Sequence, residues 1–245
     1  MTDPSVDPSE VAKFEAMAAD WWDPNGSTAP LHAMNPCRLD YIVAQICGEF
    51  DRDIRVGRPF EGLSVLDVGC GGGLLSEPLA RLGARVTGVD AAAKNVEIAR
   101  AHARDAGMEI DYRAVTAESL LAEGAAFDVV LGMEIVEHVA DPATFLRSLG
   151  ALARPGGLVV VSTLNRTARS FAAAIVGAEW VMRWLPRGTH DWSKFVSPED
   201  LAGMMREAGL DPVDRKGMVP DPLRGQWRLS DRDLSVNYVM TGVRT

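Results

Sequence analysis

The stretch LSVLDVGCGGGLLSEPLARLG, residues 63–83, decides the fold. Its first seven residues are an apolar, β-branched run ending in glycine, which reads as a buried strand, and LLSEPLARLG then takes helical spacing. Gly69, Gly71, Gly72 and Gly73 remove side chains where the backbone must turn sharply from strand into helix. The pattern recurs downstream. RVTGVD (85–90) reads as a second strand, AKNVEIARAHARDAG (93–107) as a helix, and EIDYRAV (109–115) as a short third strand. FDVVLGM (127–133) is a fourth strand, DPATFLRSLGALARPGG (141–157) holds a helix that stops at its Pro-Gly-Gly, and LVVVST (158–163) is a fifth strand. Repeated βα units with continuous apolar strands predict an α/β fold. Its sheet is mostly parallel and doubly wound, with helices on both faces and right-handed crossovers.

The flanks predict three further segments. PSEVAKFEAMAADWWD (8–23) reads as an amphipathic helix, and a second helix is expected to begin near Asn35-Pro36 and run through RLDYIVAQIC. Both precede the first strand and are placed to fold over its carboxyl end as a lid. A helical insertion follows the fifth strand, and then comes a helix with a clear start and stop. Ser197 is its N-cap, Pro198 takes N1, Glu199 and Asp200 fill the first turn, and Gly209 lies beyond the end. The closing VNYVMTGV (236–243) fits an edge strand in antiparallel pairing. The chain reads as one domain over 1–245: a helical lid (1–60), a ligand-binding core (61–164), the insertion (165–196) and the C-terminal part of the core (197–245).

Composition bounds the function. With 47% hydrophobic and 24% charged residues the chain is of ordinary globular type, and no uncharged apolar run reaches the ~18 residues of a membrane span. The N-terminus MTDPSVDPSEVAKFEAM is acidic and polar, lacks the pattern of a secretory signal, and predicts an intracellular protein. Cys37, Cys47 and Cys70 are too few and too widely spaced for a disulfide framework or a zinc set. A net charge of −9 argues against a nucleic-acid partner. The same conclusion follows from GMEIVEH after the fourth strand, which has no Asn/Asp-Pro-Pro-aromatic segment to grip a flipped base.

Ligands of parallel α/β sheets bind where loops leave the carboxyl ends of the strands, near the topological switch point. Here that loop is VLDVGCGGGLL, whose glycines let a ligand approach the peptide groups. Asp90, about twenty residues on at the end of the second strand, is placed to accept from both hydroxyls of a ribose. The pair predicts an adenosine-containing ligand. A dinucleotide fingerprint counted from Gly69 would require glycine where Leu74 stands. Asp67 would also face a pyrophosphate, whereas a carboxylate there suits an ammonium group such as that of S-adenosylmethionine. Taken singly, the glycines also fit a plain strand-to-helix turn and Asp90 a solvated strand end.

VLDVGCGGG, VTGVD, FDVVLGMEIVEHV and LARPGGLVVVSTLNR together resemble the successive motifs of class I S-adenosylmethionine-dependent methyltransferases. The flanks KFEAMAADWWDPNGSTAPLHAMNPCRLDYI and VGAEWVMRWLPRGTHDWSKF are similar to those of the ubiquinone-biosynthesis O-methyltransferases, so the resemblance covers nearly the whole chain. It implies the class I methyltransferase fold, with methyl transfer from S-adenosylmethionine to phenolic hydroxyls of polyprenylated ubiquinone precursors at two steps of the pathway. It also implies that the cofactor is contacted by Arg38, Gly69, Asp90 and Met133, to which the loop motif adds Asp67 and Gly71. Arg38 suits a bidentate pair with the cofactor's carboxylate and Met133 a place against the adenine edge. By themselves these two residues would read as a surface ion pair and a core gap-filler.

A phenol of pKa ~10 is a poor nucleophile at neutral pH, so the reaction needs help in removing its proton. In MEIVEHV (133–139), Glu134, Glu137 and His138 stand at i, i+3 and i+4, on one side of a helical turn leaving the fourth strand. The resemblance extends to magnesium-dependent members, which implies Mg2+ held by these three residues and by a catechol. The same residues also suit shaping of the pocket, and imidazole is an unusual magnesium ligand. Without a metal, His138 or His190 is the expected general base.

Within TARSFAAAIVGAEWVMRWLPRG (167–188), Phe171, Ile175, Ala178, Met182 and Leu185 share one helical side. Arg169, Glu179 and Arg183 form a polar stripe, and Trp180 and Trp184 flank it. Such a helix suits the headgroup region of a membrane, though a buried helix or a dimer interface fits the pattern nearly as well. The expected partners are the polyprenylated phenol, membrane lipid and other proteins of ubiquinone biosynthesis, at the cytoplasmic inner face of the membrane. Two other classes stay open: a nicotinamide-dependent oxidoreductase, and a non-catalytic lipid-binding subunit that retains the cofactor fold.

Overall fold

The computed structural model describes residues 5–172, 191–221 and 223–245. Two helices come first, α1 (Pro8–Met17) and α2 (Ala29–Glu49). They are followed by β1 (Ser64–Val68), α3 (Ser76–Arg81), β2 (Arg85–Val89), α4 (Ala93–Asp105), β3 (Asp111–Arg113), α5 (Ala117–Ala122) and β4 (Phe127–Met133). A 3-10 turn at Val136–His138 leads to α6 (Pro142–Leu152), β5 (Ala153–Leu164) and the single turn α7 (Ala168–Ser170). The chain closes with α8 (Pro198–Glu207), β6 (Leu210–Asp221), β7 (Gln226–Ser230) and β8 (Asn237–Arg244).

The strands form one sheet in the order β3-β2-β1-β4-β5-β8-β6-β7. The first five are parallel, β8 runs antiparallel to both β5 and β6, and β7 antiparallel to β6. Because β1 lies between β2 and β4, the chain runs outward in opposite directions on its two sides. The loops after β1 and β4 therefore part and leave a crevice. Side-chain alternation divides the core between the two faces. Val65, Leu131, Val160 and Val239 pack with Tyr41, Ile42 and Ile46 of α2 and Leu79 of α3. Leu66, Val130, Val159 and Met240 pack with Leu120 of α5, Leu146 and Leu149 of α6, and Leu201 of α8.

The helix starts follow local chemistry. Ser197 Oγ accepts from the Asp200 amide at 3.1 Å and Asp141 Oδ1 from the Thr144 amide at 3.1 Å, each with proline in the first turn. Three boundaries differ from the sequence expectation. α2 begins at Ala29 with Pro30 in its first turn, and Pro36, expected near its start, stands inside it. That proline forfeits one backbone bond. Tertiary contacts carry the helix through it, among them Asn35 Nδ2 donating to the Leu74 carbonyl at 2.8 Å. α6 ends at Leu152, and the Arg-Pro-Gly-Gly segment is drawn into β5 with a register shift opposite Phe127 and Val129. Finally, β8 is not an edge strand: it lies between β5 and β6, and its residues 237–242 are buried. The edges are β3 and β7.

α2 is fastened to the sheet by one buried polar contact, Thr241 Oγ1 donating to the Tyr41 hydroxyl at 2.9 Å, with Tyr41 only 1% exposed. Tyr41→Phe leaves the Thr241 hydroxyl buried without that acceptor. The expected cost is about 1–2 kcal/mol in urea unfolding, with the two-state transition retained.

Candidate active site

The glycine loop is shaped by its own backbone. Gly69, Gly71 and Gly73 hold φ of +71°, +53° and +91°, which side chains other than glycine adopt only with strain. The amides of Gly69 and Cys70 donate to the Val89 carbonyl at 2.8 and 3.0 Å, tying the end of β1 to the end of β2. Asp90 completes the tie, accepting from the Gly71 amide at 2.9 Å and the Ala92 amide at 2.8 Å. The space the glycines leave is filled by protein. A Cβ at Gly71 or Gly72 would strike the Trp21 indole, one at Gly69 the Ile135 side chain, and one at Gly73 the Tyr112 hydroxyl.

Beneath this loop lies a group of buried charges. Arg38, projecting from α2 and 4% exposed, has Nε and Nη2 without hydrogen-bond partners among the described residues, and Nη2 stands 3.9 Å from Glu134 Oε1. Burial lowers the guanidinium's pKa, and Glu134, Glu137 and Asp67 oppose that shift. Asp67, 2% exposed, accepts from Ser76 Oγ at 2.6 Å, and burial pushes its carboxyl up to about 6. Burial raises Asp90 as well, against its two backbone donors. Arg38, Asp67, Gly69, Asp90 and Met133 all line one cavity at the carboxyl ends of the parallel strands. Gly71 does not. Its amide serves Asp90 and its α-carbon lies beneath Trp21.

Glu134, Glu137 and His138 also line the cavity, but not as one side of a helical turn. Glu134 takes a left-handed conformation at φ +55°, with its amide at 3.1 Å from the Ser162 carbonyl. Its carboxylate accepts from Ser162 Oγ at 2.7 Å and from Asn237 Nδ2 at 3.2 Å. Glu137, 4% exposed, accepts from Thr163 Oγ1 at 2.8 Å, and burial pushes its carboxyl up to about 7. His138 Nδ1 lies 2.9 Å from Glu10 Oε2 of α1, with its ring edge-on to Phe14. The expected ligand set is therefore not assembled. Each side chain has its own protein partner, and among the described residues no three His, Cys, Asp or Glu side chains are grouped to hold a metal ion. The residues as placed do not fit magnesium. His190, Trp180 and Trp184 lie outside the described residues, as does most of the insertion's expected helix.

Comparison with known proteins agrees with this geometry. A family model described as a methyltransferase domain matches residues 49–215. The chain is 65% identical over 240 residues to a ubiquinone biosynthesis O-methyltransferase of Cereibacter sphaeroides, covering 98% of this chain and 97% of that one. It is 64% identical, with the same coverage, to the protein of that name from Ruegeria pomeroyi. The chain belongs to the ubiquinone biosynthesis O-methyltransferase family. A solved structure, the magnesium protoporphyrin IX methyltransferase of Synechocystis PCC 6803 with bound S-adenosylmethionine, shares the fold at a TM-score of 0.64. It is 18% identical, with both chains fully covered.

In this chain the N-terminal segment forms a wall of the cavity. Val11, Phe14 and Met17 of α1 line the cavity together with Trp21, Leu31, Val115, Val139 and Phe145. Polar contacts pin the wall at its rim. Ser5 Oγ donates to Glu118 Oε1 at 2.7 Å, the Ala140 amide donates to the Ser5 carbonyl at 2.9 Å, and Lys194 Nζ reaches Asp7 Oδ2 at 3.2 Å. Glu10 links His138 to Lys13, and its hydrogen bond to His138 leads in holding its carboxyl down at about 2. In the sequence the Trp21-Trp22 pair stands out only as part of the N-terminal flank motif, and Glu10 does not stand out. A charged residue on the apolar side of α1 was its available signal.

Asp67 gives a sign-definite test. Its folded pKa of about 6 lies above the ordinary 3.8, so the folded state binds the proton more tightly than the unfolded chain does. The associated stability is present below pH ~4 and lost as pH rises to ~6. Asp67→Asn, which keeps an acceptor for Ser76, removes that loss. Without cofactor the variant should exceed the parent by about 1–3 kcal/mol at pH 7.5, with the gap closing toward pH 4. Urea unfolding across that range checks it, and parallel curves would refute the assignment.

Proposed function

We propose that this chain transfers the methyl group of S-adenosylmethionine to a phenolic hydroxyl of a polyprenylated ubiquinone precursor, at both O-methylation steps of the pathway. One observation carries the reading: the buried Arg38, with two donor nitrogens unmet, shares a cavity with the carboxylates of Asp67 and Asp90. A ligand with a carboxylate, an ammonium and a ribose diol answers all three. Arg38 would hold the carboxylate, Asp67 the ammonium, Asp90 the ribose, and Met133 would pack against the adenine, with Gly69 allowing close approach. S-adenosylmethionine supplies an electrophilic methyl group on a sulfonium.

The chain's own residues must exclude water and take up a proton. The apolar wall of Phe14, Val115, Val139 and Phe145 excludes water and suits an aromatic ring. With Nδ1 held by Glu10, we assign the phenol's proton to Nε2 of His138. The four segments of the chain serve one domain in this reading. Lid and core meet around the donor, and the insertion is left to deal with the tail.

The insertion is the proposed membrane contact. Among the described residues no helix is long and apolar enough to cross a membrane. The amphipathic pattern of residues 167–188 supports binding at the cytoplasmic surface, where the tailed substrate and other proteins of the pathway would be met. At the segment's base Phe171, 45% exposed, lies edge-on to Trp192, 40% exposed.

Labelled S-adenosylmethionine with a short-tailed catechol should give methyl ether, located on oxygen by mass spectrometry. Absence of transfer to any catechol or phenol of the class would overturn the reading. For the surface contact, Trp180→Ala with Trp184→Ala should lower flotation with anionic liposomes several-fold while leaving turnover of a tail-less catechol intact. Flotation equal to that of the parent would reject membrane contact through this helix.

A further inference from the structure

The adjacent tryptophans 21 and 22 join the N-terminal segment to the glycine loop by different routes. Trp21 lies over Gly71 and Gly72, lines the cavity, and donates from Nε1 to Asn95 Oδ1 of α4 at 2.9 Å. Trp22 does not line the cavity. Its Nε1 donates to the Gly72 carbonyl at 3.0 Å, and its ring stacks on His102 of α4 with centroids 3.5 Å apart and planes within 4°. His102 Nδ1 is in turn 2.6 Å from Oε1 of Glu77, a fully buried carboxylate of α3 that also pairs with Arg81. The Glu77 amide donates to the Gly73 carbonyl at 3.1 Å. The contacts close a circuit from Gly72 through Trp22, His102 and Glu77 back to Gly73, and none of those three side chains reaches the cavity.

A loop rich in glycine has no side chains of its own to fix its shape and carries the largest conformational entropy to be lost. We propose that Trp22 is a positioning residue for donor binding. It holds the Gly72 carbonyl and, through His102 and Glu77, keeps the loop in its cofactor-binding conformation. Docking of the N-terminal segment and preorganisation of the donor site are then one event. An undocked segment leaves the loop loose, and a bound donor favours docking by the same free energy. Trp21 covers the loop, and Trp22 sets its path.

The inference rests on S-adenosylmethionine as the donor, and the test separates the two claims. Calorimetry with S-adenosylmethionine and S-adenosylhomocysteine is run on the full chain, on Trp22→Phe, which keeps a ring for His102 but lacks the indole N–H, and on Trp22→Ala. Donor Kd should rise about threefold in Trp22→Phe and about tenfold in Trp22→Ala, while the catechol KM at saturating donor changes by less than twofold. Thermal unfolding of each variant reports whether it is folded. If Trp22→Ala does not fold, Trp22→Phe decides. An unchanged donor Kd in a folded variant, or a catechol KM that rises in step with it, would overturn the positioning role. A parent chain that binds neither compound would instead overturn the donor assignment.

Discussion

The rest of the site depends on one buried cation. Arg38 is brought by α2 beneath the ends of β1 and β4, where Asp67, Glu134 and Glu137 oppose the loss of its hydration. Carboxylates surround the cation there, yet its hydrogen bonding is unmet, because two guanidinium nitrogens have no partner among the described residues. Leaving buried donors unmet costs on the order of 1–3 kcal/mol, more for a charged group. A fold tolerates that where a ligand supplies the missing acceptors. Stability and binding are opposed at this point, and the packing of Tyr41, Ile42 and Ile46 of α2 on the sheet keeps the cation in place.

The acids around Arg38 fall into two kinds, and the difference is geometric. Glu134 and Glu137 spend their oxygens on Ser162, Asn237 and Thr163 at the ends of β5 and β8. They join the loop after β4 to the neighbouring strands. The left-handed Glu134 turns the chain out of β4, so that Met133 stays at the cavity while Ile135 drops against Gly69. Asp67 and Asp90, which line the same cavity, are held instead by one serine and two backbone amides of the glycine loop and the turn after β2. Equal charge at similar depth thus ties β4 to its neighbours β5 and β8 in one case and the glycine loop to β2 and α3 in the other.

How much of this was legible depended on how each segment is buried. β1, β4 and β5 are covered on both faces, so their apolar runs were unmistakable, and the glycine turn with Asp90 placed the crevice. β6 and β7 carry DPVDRKG and QWRLS near the sheet's exposed end, where alternation is too weak to declare a strand. Pro36 misled because tertiary contacts override its helix-breaking tendency. The spacing of Glu134, Glu137 and His138 assumed a helical turn, whereas a left-handed residue followed by a 3-10 turn sends the three side chains to different partners. Trp21 and Glu10 act across more than seventy and more than a hundred residues of sequence, to Asn95 and His138, distances no local pattern reports.

The wall over the cavity is held differently from the rest of the fold. The buried residue of α1 is Glu10, while α6 buries Phe145, Leu146, Leu149 and Leu152. α1 is fixed instead by Glu10 to His138, Asp7 to Lys194 and Ser5 to Glu118, all polar contacts at the cavity rim. Separating such pairs exposes groups that water can solvate and uncovers little apolar surface, so their release costs far less than withdrawing a core helix. Of the elements around the cavity, α1 is thus the one whose release would disturb the core least, since the strands and α6 are held by buried apolar side chains. The contact between His138 Nδ1 and Glu10 at 2.9 Å both orients the imidazole and holds α1 over the cavity, so the wall and the ring are fixed by one interaction.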